Sequence, residues 1–181
     1  MTAPPVVTVL GSAPTALQAV RSLLLADLTL HSWILPSHCS AREARALARS
    51  ASDWHRRLAD CDIMLTLFDA PYVLESVVVP HVLPAARPGT LWLQMGPAPS
   101  PHVTQLTELA RCLGVAVAHA SMSWSGDKVT ALGAPPSLSF RHGSRQADVD
   151  LVYGSAIAGL TNAGVIDLPS TEDLSRAGTQ S

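Results

Sequence analysis

Three side chains that can hold or move a proton each stand just beyond a short apolar segment of the sequence. His119 follows one such segment, and Asp69 and Tyr72 follow another. An imidazole titrates near neutral pH and shuttles protons, while a neighbouring carboxylate or phenol can orient it or donate to a substrate. We therefore predict that His119 is a general acid/base and that Asp69 or Tyr72 is its partner.

Each of these residues also has a structural interpretation. His119 would then be a hydrogen-bonded histidine at the end of a strand, and Asp69 would cap a helix that begins at Pro71. The aromatic residues Trp33 and Trp124 would pack in the core or in a dimer contact. The sequence leaves both interpretations open.

Further side chains are predicted to contact a small organic molecule beside these proton carriers. Most are polar, and Trp124 would form an apolar wall. Each ends or follows a predicted strand, and the carboxyl ends of parallel strands meet at one edge of an open sheet. The predicted substrate-binding residues are His31, Trp33, Gln94, Ser121, Ser123 and Trp124.

The elements that would position this site begin with the first thirty residues. An apolar segment over 6–10 leads to Gly11, and apolar residues then recur at helical spacing, as in a nucleotide-binding βαβ unit. The G-x-G-x-x-G pattern of such units has glycine where this chain has Ala13 and Ala16. We therefore expect NADP(H) to bind weakly or not at all. The candidate cofactor-binding residues are Gly11, Ser12, Ala13 and Thr15.

The alternation of strands and helices continues along the chain. The apolar and turn patterns predict strands over 28–33, 62–68, 91–95, 115–120, 129–132 and 137–140. They predict helices over 41–50, 53–59, 71–79, 101–113 and 146–162, with a loop over 121–127. The predicted fold class is therefore α/β: a Rossmann-like, doubly wound and mostly parallel sheet in three layers.

The length of 181 residues predicts one compact domain rather than two. We expect a Rossmann-like domain over 1–145, a C-terminal helix over 146–168 and a disordered tail over 169–181. The helix carries an apolar stripe that would meet a second copy in a homodimer. The stripe consists of Val149, Val152, Ala156, Ile157 and Leu160.

Charge and cysteine content argue against several classes of protein. A net charge of −2 offers no basic face for nucleic acid. The three cysteines fit no C-x-x-C pattern and no histidine pair has the spacing of a metal site, so we expect no metal. No apolar segment reaches the about 18 residues of a membrane span, and the N-terminus has no signal-peptide pattern. We therefore expect a cytoplasmic protein without membrane contact.

Three segments taken together resemble the β-hydroxyacid dehydrogenases, which include the imine reductases. They resemble the N-terminal nucleotide-binding domain of that family, and the resemblance covers about residues 6–140. It implies a Rossmann fold, a nicotinamide cofactor and hydride transfer. The segments are Asp60-Cys-Asp-Ile-Met-Leu-Thr-Leu-Phe68, Arg87-Pro-Gly-Thr-Leu-Trp-Leu-Gln-Met95 and Ser100-Pro-His-Val-Thr-Gln-Leu-Thr-Glu-Leu-Ala110.

The sequence differs from the family at the segments that bind ligands. Where family members carry a pair of residues that reads the adenosine ribose, this chain has Trp33-Ile-Leu-Pro36. The family's substrate segments correspond to Gln94-Met-Gly-Pro-Ala-Pro99 and His119-Ala-Ser-Met-Ser-Trp124. Four downstream residues would either contact a 2′-phosphate or form a helix cap and a solvated face. They are Ser37, His38, Ser40 and Arg42.

Three classes of function remain open. We favour a reductase-derived Rossmann protein that binds a small organic molecule and promotes a non-redox step, such as a cyclisation, isomerisation or dehydration. The alternatives are a genuine NADPH-dependent reductase of the imine or β-hydroxyacid type, and a non-catalytic binding or partner protein. The Ala-, Pro- and Arg-rich composition is typical of a high-GC bacterial source, where such a protein would fit secondary metabolism.

Overall fold

The computed structural model describes residues 4–51, 53–96, 100–120, 122–125, 128–131 and 145–163. Five parallel strands form the main sheet: β1 (Val6–Ser12), β2 (Thr29–Leu35), β3 (Ile63–Leu67), β4 (Leu91–Gln94) and β5 (Ala116–His119). Their order across the sheet is β2-β1-β3-β4-β5. Since β2 lies on one side of β1 and all later strands lie on the other, the strand order reverses between β1 and β3.

Helices pack on both faces of this sheet, which confirms the predicted three-layer, Rossmann-like fold. The α-helices are α1 (Thr15–Leu25), α2 (Ala41–Ser50), α3 (Trp54–Ala59), α4 (Pro71–Val73), α5 (Ser100–Cys112) and α6 (Gln146–Asn162). Of these, α2 and α6 have the predicted bounds. The helix predicted over 71–79 is longer, because α4 continues as a π-helix over Leu74–Val82 and a 3₁₀ turn over Leu83–Ala85.

Alternate residues of the strands build one apolar core on each face of the sheet. Met64 and Trp92 pack on the face covered by α2, α3 and the π-helix. Leu65 and Leu93 pack on the opposite face, which α1 and α6 cover. All four side chains are fully buried. Burial on both faces explains why the segment around β3 is almost continuously apolar.

The apolar stripe of α6 packs inside the chain and not on a second copy. It lies against α1 and the sheet, and the Ser22 hydroxyl on α1 donates a hydrogen bond to the Ser155 carbonyl oxygen at 2.6 Å. The argument that derived a homodimer from this stripe is therefore wrong, although the homodimer itself stays a prediction. The stripe residues Val149, Val152, Ala156 and Leu160 are fully buried, and Ile157 is partly buried.

Two local predictions differ from the structure. β2 runs two residues past its predicted end, because Leu35 still pairs with Ser12 of β1. The segment predicted as a loop contains β6 (Met122–Ser125), which pairs antiparallel with β7 (Lys128–Ala131) in a separate sheet. The predicted strand over 137–140 and the predicted tail over 169–181 lie outside the described residues.

The two glycines of α6 give a matched test of its packing. A Cβ added at Gly159 would clash with the Ser22 Cβ on α1 and lie 2.9 Å from the Gln18 carbonyl oxygen, whereas a Cβ at Gly154 meets nothing within 4 Å. We expect Gly159→Ala to lower the free energy of unfolding by about 1–3 kcal/mol through overpacking. Gly154→Ala should raise it by about 0.5–1 kcal/mol, since alanine favours a helix. Urea unfolding measures both, and equal stabilities would contradict the packing of α6 on α1.

Candidate functional site

The strand order reverses beside the carboxyl end of β1, which is where open α/β sheets bind ligands. Ser12 ends β1 at this point, and Asp69 follows β3. The Ser12 hydroxyl donates a hydrogen bond to Asp69 Oδ1 at 2.8 Å, so the structure brings two predicted site residues together. Asp69 does not cap α4, because the N-cap residue is Ala70 and no side chain bonds to that helix end. Its carboxylate instead joins the ends of two neighbouring strands.

Because Gly11 has no side chain, β1 can pack closely against α1 and β3. A Cβ at this position would stand 2.5 Å from the Ala16 Cβ and 2.6 Å from the Leu67 carbonyl oxygen. Both distances are shorter than real Cβ atoms show, so the packing of β1 on α1 and β3 requires a glycine. In a dinucleotide-binding turn, the first glycine, which Gly11 matches, makes the tight turn, and the second lets the backbone approach the diphosphate. At Gly11 the close approach is to protein atoms.

The turn between β1 and α1 has few donors left for a phosphate. The Ala13 N–H donates to the Leu35 carbonyl oxygen at 2.9 Å, and Pro14 has no N–H. The next two residues, Thr15 and Ala16, are 7% and 0% exposed. A helix N-terminus holds a diphosphate through accessible N–H groups, and this turn does not have that donor set. The turn therefore offers fewer free N–H groups than the glycine-rich turn of the dinucleotide fingerprint.

Tyr72 lies on α4 and is held on the β2 side of the same edge. Its hydroxyl donates a hydrogen bond to the Cys39 carbonyl oxygen, in the loop that follows β2. Partial burial raises the pKa of Tyr72, and the negative charge of Asp69 raises it further. The phenol therefore stays protonated at neutral pH and acts as a hydrogen-bond donor.

Gln94 and His119 form a second polar pair, at the carboxyl ends of β4 and β5, where they are register partners. Gln94 is 3% exposed, and its Nε2 donates to the Gly96 carbonyl oxygen at 2.7 Å. In the described part of the chain, neither Gln94 Oε1 nor His119 Nδ1 has a hydrogen-bond partner, although both atoms are buried. Burial also lowers the pKa of His119, so the imidazole is neutral at pH 7.

Two polar atoms on adjacent strands are thus buried without a partner among the described residues, as are Thr8 Oγ1 and Ser76 Oγ elsewhere. Each such atom costs about 1–3 kcal/mol while it has no partner. Gln94 Oε1 can only accept a hydrogen bond, whereas Nδ1 of a neutral His119 accepts or donates according to its tautomer. A hydrogen-bond donor such as an N–H or O–H group would satisfy both atoms, and only the imidazole could exchange a proton with it.

The other predicted substrate contacts are not gathered at this edge. His31 lies in the middle of β2 opposite Thr8, so its predicted position at the end of the strand is wrong, because β2 continues to Leu35. Trp33 packs edge-to-face on Trp54, with ring centroids 5.2 Å apart, which agrees with the structural interpretation.

The remaining predicted contacts lie after β5. Ser123 and Trp124 lie on β6, opposite Thr130 and Val129 of β7. Ser121 lies outside the described residues. A role for these three residues in substrate binding therefore stays a prediction.

Two residues that the sequence analysis did not assign to the site, Cys39 and Glu43, border a cavity beyond β2. The signal for Glu43 was present in the sequence as Ser40-x-x-Glu43, the pattern of a capping box. The structure contains this box: the Ser40 hydroxyl accepts from the Glu43 N–H, and Glu43 Oε2 accepts from the Ser40 N–H at 2.9 Å. Ser40 is therefore a helix cap, as one of its two interpretations proposed.

Metal and membrane features were sought across the described ranges. In those ranges, no group of three or more His, Cys, Asp or Glu side chains is arranged to hold a metal ion. No described helix combines the length and the apolar character needed to cross a membrane.

No protein-family model and no curated protein matches the sequence. Solved structures do match the fold. The 3-hydroxyisobutyrate dehydrogenase of Mycobacterium tuberculosis superposes with a TM-score of 0.59 and 15% identity over 88% of this chain and 59% of its own. The fold is that of the N-terminal part of such reductases. This confirms, at the level of the fold, the resemblance found in the sequence.

Two further structures carry a nicotinamide cofactor. An imine reductase from Myxococcus stipitatus in complex with NAD+ matches with a TM-score of 0.53 and 14% identity, over 92% of this chain and 55% of that one. A reductive aminase from Aspergillus terreus in complex with NADPH matches with a TM-score of 0.54 and 14% identity, over 90% and 61%. The chain thus spans little more than half the length of the structures it matches.

The neutral, buried state of His119 predicts how stability depends on pH. Burial holds its pKa below the ordinary value of about 6.5, so the unfolded chain takes up the proton first as the pH falls. The contribution of this residue to stability is therefore complete above about pH 6.5 and is lost as the pH falls toward the folded-state pKa.

We expect His119→Gln, which cannot titrate, to reduce the loss of stability between about pH 7.5 and about pH 5.5. Urea unfolding at both pH values measures this loss. His55→Gln removes an exposed histidine and serves as the control. An unchanged pH dependence in His119→Gln would contradict the buried, neutral imidazole.

Proposed function

We propose that this protein binds a small organic molecule at the carboxyl edge of the sheet and promotes a non-redox step in it. The step is a cyclisation, isomerisation or dehydration, and bacterial secondary metabolism is its expected setting. The observation that carries the proposal is the pair of buried, unpartnered atoms Gln94 Oε1 and His119 Nδ1. Unsatisfied polar groups combined with a perturbed pKa at a ligand-binding edge are typical of a functional site.

In this proposal, His119 is the general acid/base. Its neutral imidazole takes a proton from one atom of the substrate and returns a proton to another atom, so the substrate is neither oxidised nor reduced. Gln94 Oε1 accepts a hydrogen bond from an N–H or O–H group and holds the molecule in place. Asp69 and Tyr72 are fixed at the β1–β2 side of the edge and would contact the distal part of a larger substrate.

A second proposal concerns the cofactor: NADP(H) binds weakly or not at all. The Ala13 N–H is already used, Pro14 has no donor, and Asp69 places a negative charge beside the expected path of the diphosphate. The loss of two good hydrogen bonds to phosphate, at about 1.5–3 kcal/mol each, would weaken binding by about two orders of magnitude or more.

A genuine NADPH-dependent reductase is the alternative function, because the fold is shared with reductases whose structures contain NAD+ or NADPH. Hydride transfer requires the reacting atoms to be held away from water. Such an enzyme would therefore need further protein to enclose the substrate, beyond the described residues. A second copy in a homodimer could supply it.

The charge of Asp69 gives a test of the cofactor proposal. We expect calorimetric titration of the wild-type protein with NADPH to show no low-micromolar binding. Asp69→Asn should bind NADPH more tightly than wild type by about tenfold, since it removes the repulsion but keeps an oxygen for Ser12. Asp60→Asn removes an equal charge just before β3, at the opposite edge, and should not change binding. Low-micromolar binding by wild type would favour the reductase.

The role of His119 is tested with a ligand found by affinity selection from a small-molecule library. We expect a product of unchanged mass, or one that has lost a water molecule, formed without NADPH. His119→Ala should reduce turnover by about two to four orders of magnitude with little change in melting temperature, and His55→Ala should leave turnover unchanged. A product that has gained two hydrogens, or full activity in His119→Ala, would contradict the proposal.

A further inference from the structure

A second feature of the carboxyl edge is a cavity of about 410 Å³ between the end of β2 and α2. Pro36, Ala46 and Leu47 give it apolar walls, and His38, Cys39 and Glu43 complete the lining. The Ser37 hydroxyl donates to the Ala13 carbonyl oxygen at 2.7 Å, so the cavity adjoins the turn between β1 and α1. Its volume is sufficient for a small organic molecule.

The fixed charge of this cavity is negative. The Ser40 hydroxyl and the Ser40 N–H donate to Glu43 Oε2 at 2.6 and 2.9 Å, and these bonds hold the pKa of Glu43 below its usual value. The carboxylate is therefore ionised at neutral pH. Among the described residues, no ion pair involves Glu43 or Asp69, and Arg42 and Arg45 on the same helix do not line the cavity.

Two neighbouring groups respond to this negative charge. The pKa of Cys39 is raised by burial first and then by the charges of Glu43 and Asp69. The pKa of Tyr72 is raised by burial and then by Asp69, with smaller effects of Cys39 and Glu43. Both carboxylates therefore act across the same part of the edge.

Two of the four side chains that could have contacted a nucleotide phosphate here, both serines, have other partners. The Ser37 hydroxyl bonds to the backbone of the turn, and the Ser40 hydroxyl bonds to Glu43. The carboxylate of Glu43 also occupies the N-terminus of α2, the position at which a helix favours an anion. A further anion would meet an existing negative charge, whereas a cation would be attracted to it.

We propose that this cavity binds an organic cation, namely a protonated amine that carries an apolar group. Glu43 is the counter-charge, and Pro36, Ala46 and Leu47 contact the apolar part. The cavity therefore prefers a cation, whereas a site for a nucleotide phosphate prefers an anion. This proposal does not depend on His119 chemistry, since neither His119 nor Gln94 borders the cavity.

Three indole compounds of similar shape and different charge test the proposal: tryptamine, tryptophol and indole-3-propionate. Calorimetric titration at low salt and about pH 8 should show tryptamine binding at least about tenfold more tightly than the other two. Raising the salt concentration should weaken the binding of tryptamine.

Matched variants locate the binding. Glu43→Gln removes the charge but retains an oxygen for the capping box, and it should weaken tryptamine binding by about tenfold. Glu108→Gln removes an exposed carboxylate on α5 and should not change it. Leu47→Ala removes part of an apolar wall and should weaken the binding of tryptamine without a change in its charge preference.

Equal binding of the three compounds, tighter binding of indole-3-propionate, no binding of tryptamine, or an unchanged affinity in Glu43→Gln would each overturn the proposal. Circular dichroism melting of each variant checks that it is folded. His119→Ala should retain full tryptamine affinity, so a failure of the His119 proposal is distinguishable from a failure of this one.

Discussion

The contact between Gly11 and its neighbours determines the geometry of the whole carboxyl edge. With no side chain at this position, β1 lies against the Leu67 carbonyl oxygen on one side and Ala16 on the other. This spacing brings Ser12 within hydrogen-bond distance of Asp69. It also aligns the turn so that the Ala13 N–H continues the pairing with β2. Strand, turn and helix are therefore packed directly on one another at this end of β1.

Charge and hydrogen bonding give the two ends of this edge different ligand preferences. At the β1–β2 end, the polar groups are satisfied, and the carboxylates of Asp69 and Glu43 make the potential negative. At the β4–β5 end, Gln94 and His119 are uncharged, and each has an atom without a partner. Under the two proposals, one end selects a ligand by its charge and the other by its hydrogen-bonding groups. A common fold does not determine which chemistry its edge supports.

The sequence predicted best those helices and strands that are determined by residues close together in the chain. The start of α2, for example, follows from its capping box. The sequence could predict only that Ser12 and Asp69 lie near each other, because they stand at the carboxyl ends of neighbouring strands. It could not predict the hydrogen bond between them. Other features depend on distant contacts. The extension of β2 to Leu35 requires its partner β1, and the burial of Gln94 requires the sheet around it.

The position of α6 has a consequence for the order in which the chain is made. The hydrogen bond from Ser22 to the Ser155 carbonyl oxygen joins residues 133 positions apart. During synthesis from the N-terminus, all five strands and α1 leave the ribosome before α6, which together with α1 covers the face of Leu65 and Leu93. The part of this apolar face that α6 covers therefore stays exposed until that helix emerges. A ribosome that pauses between the fifth strand and α6 would prolong the exposure of this surface.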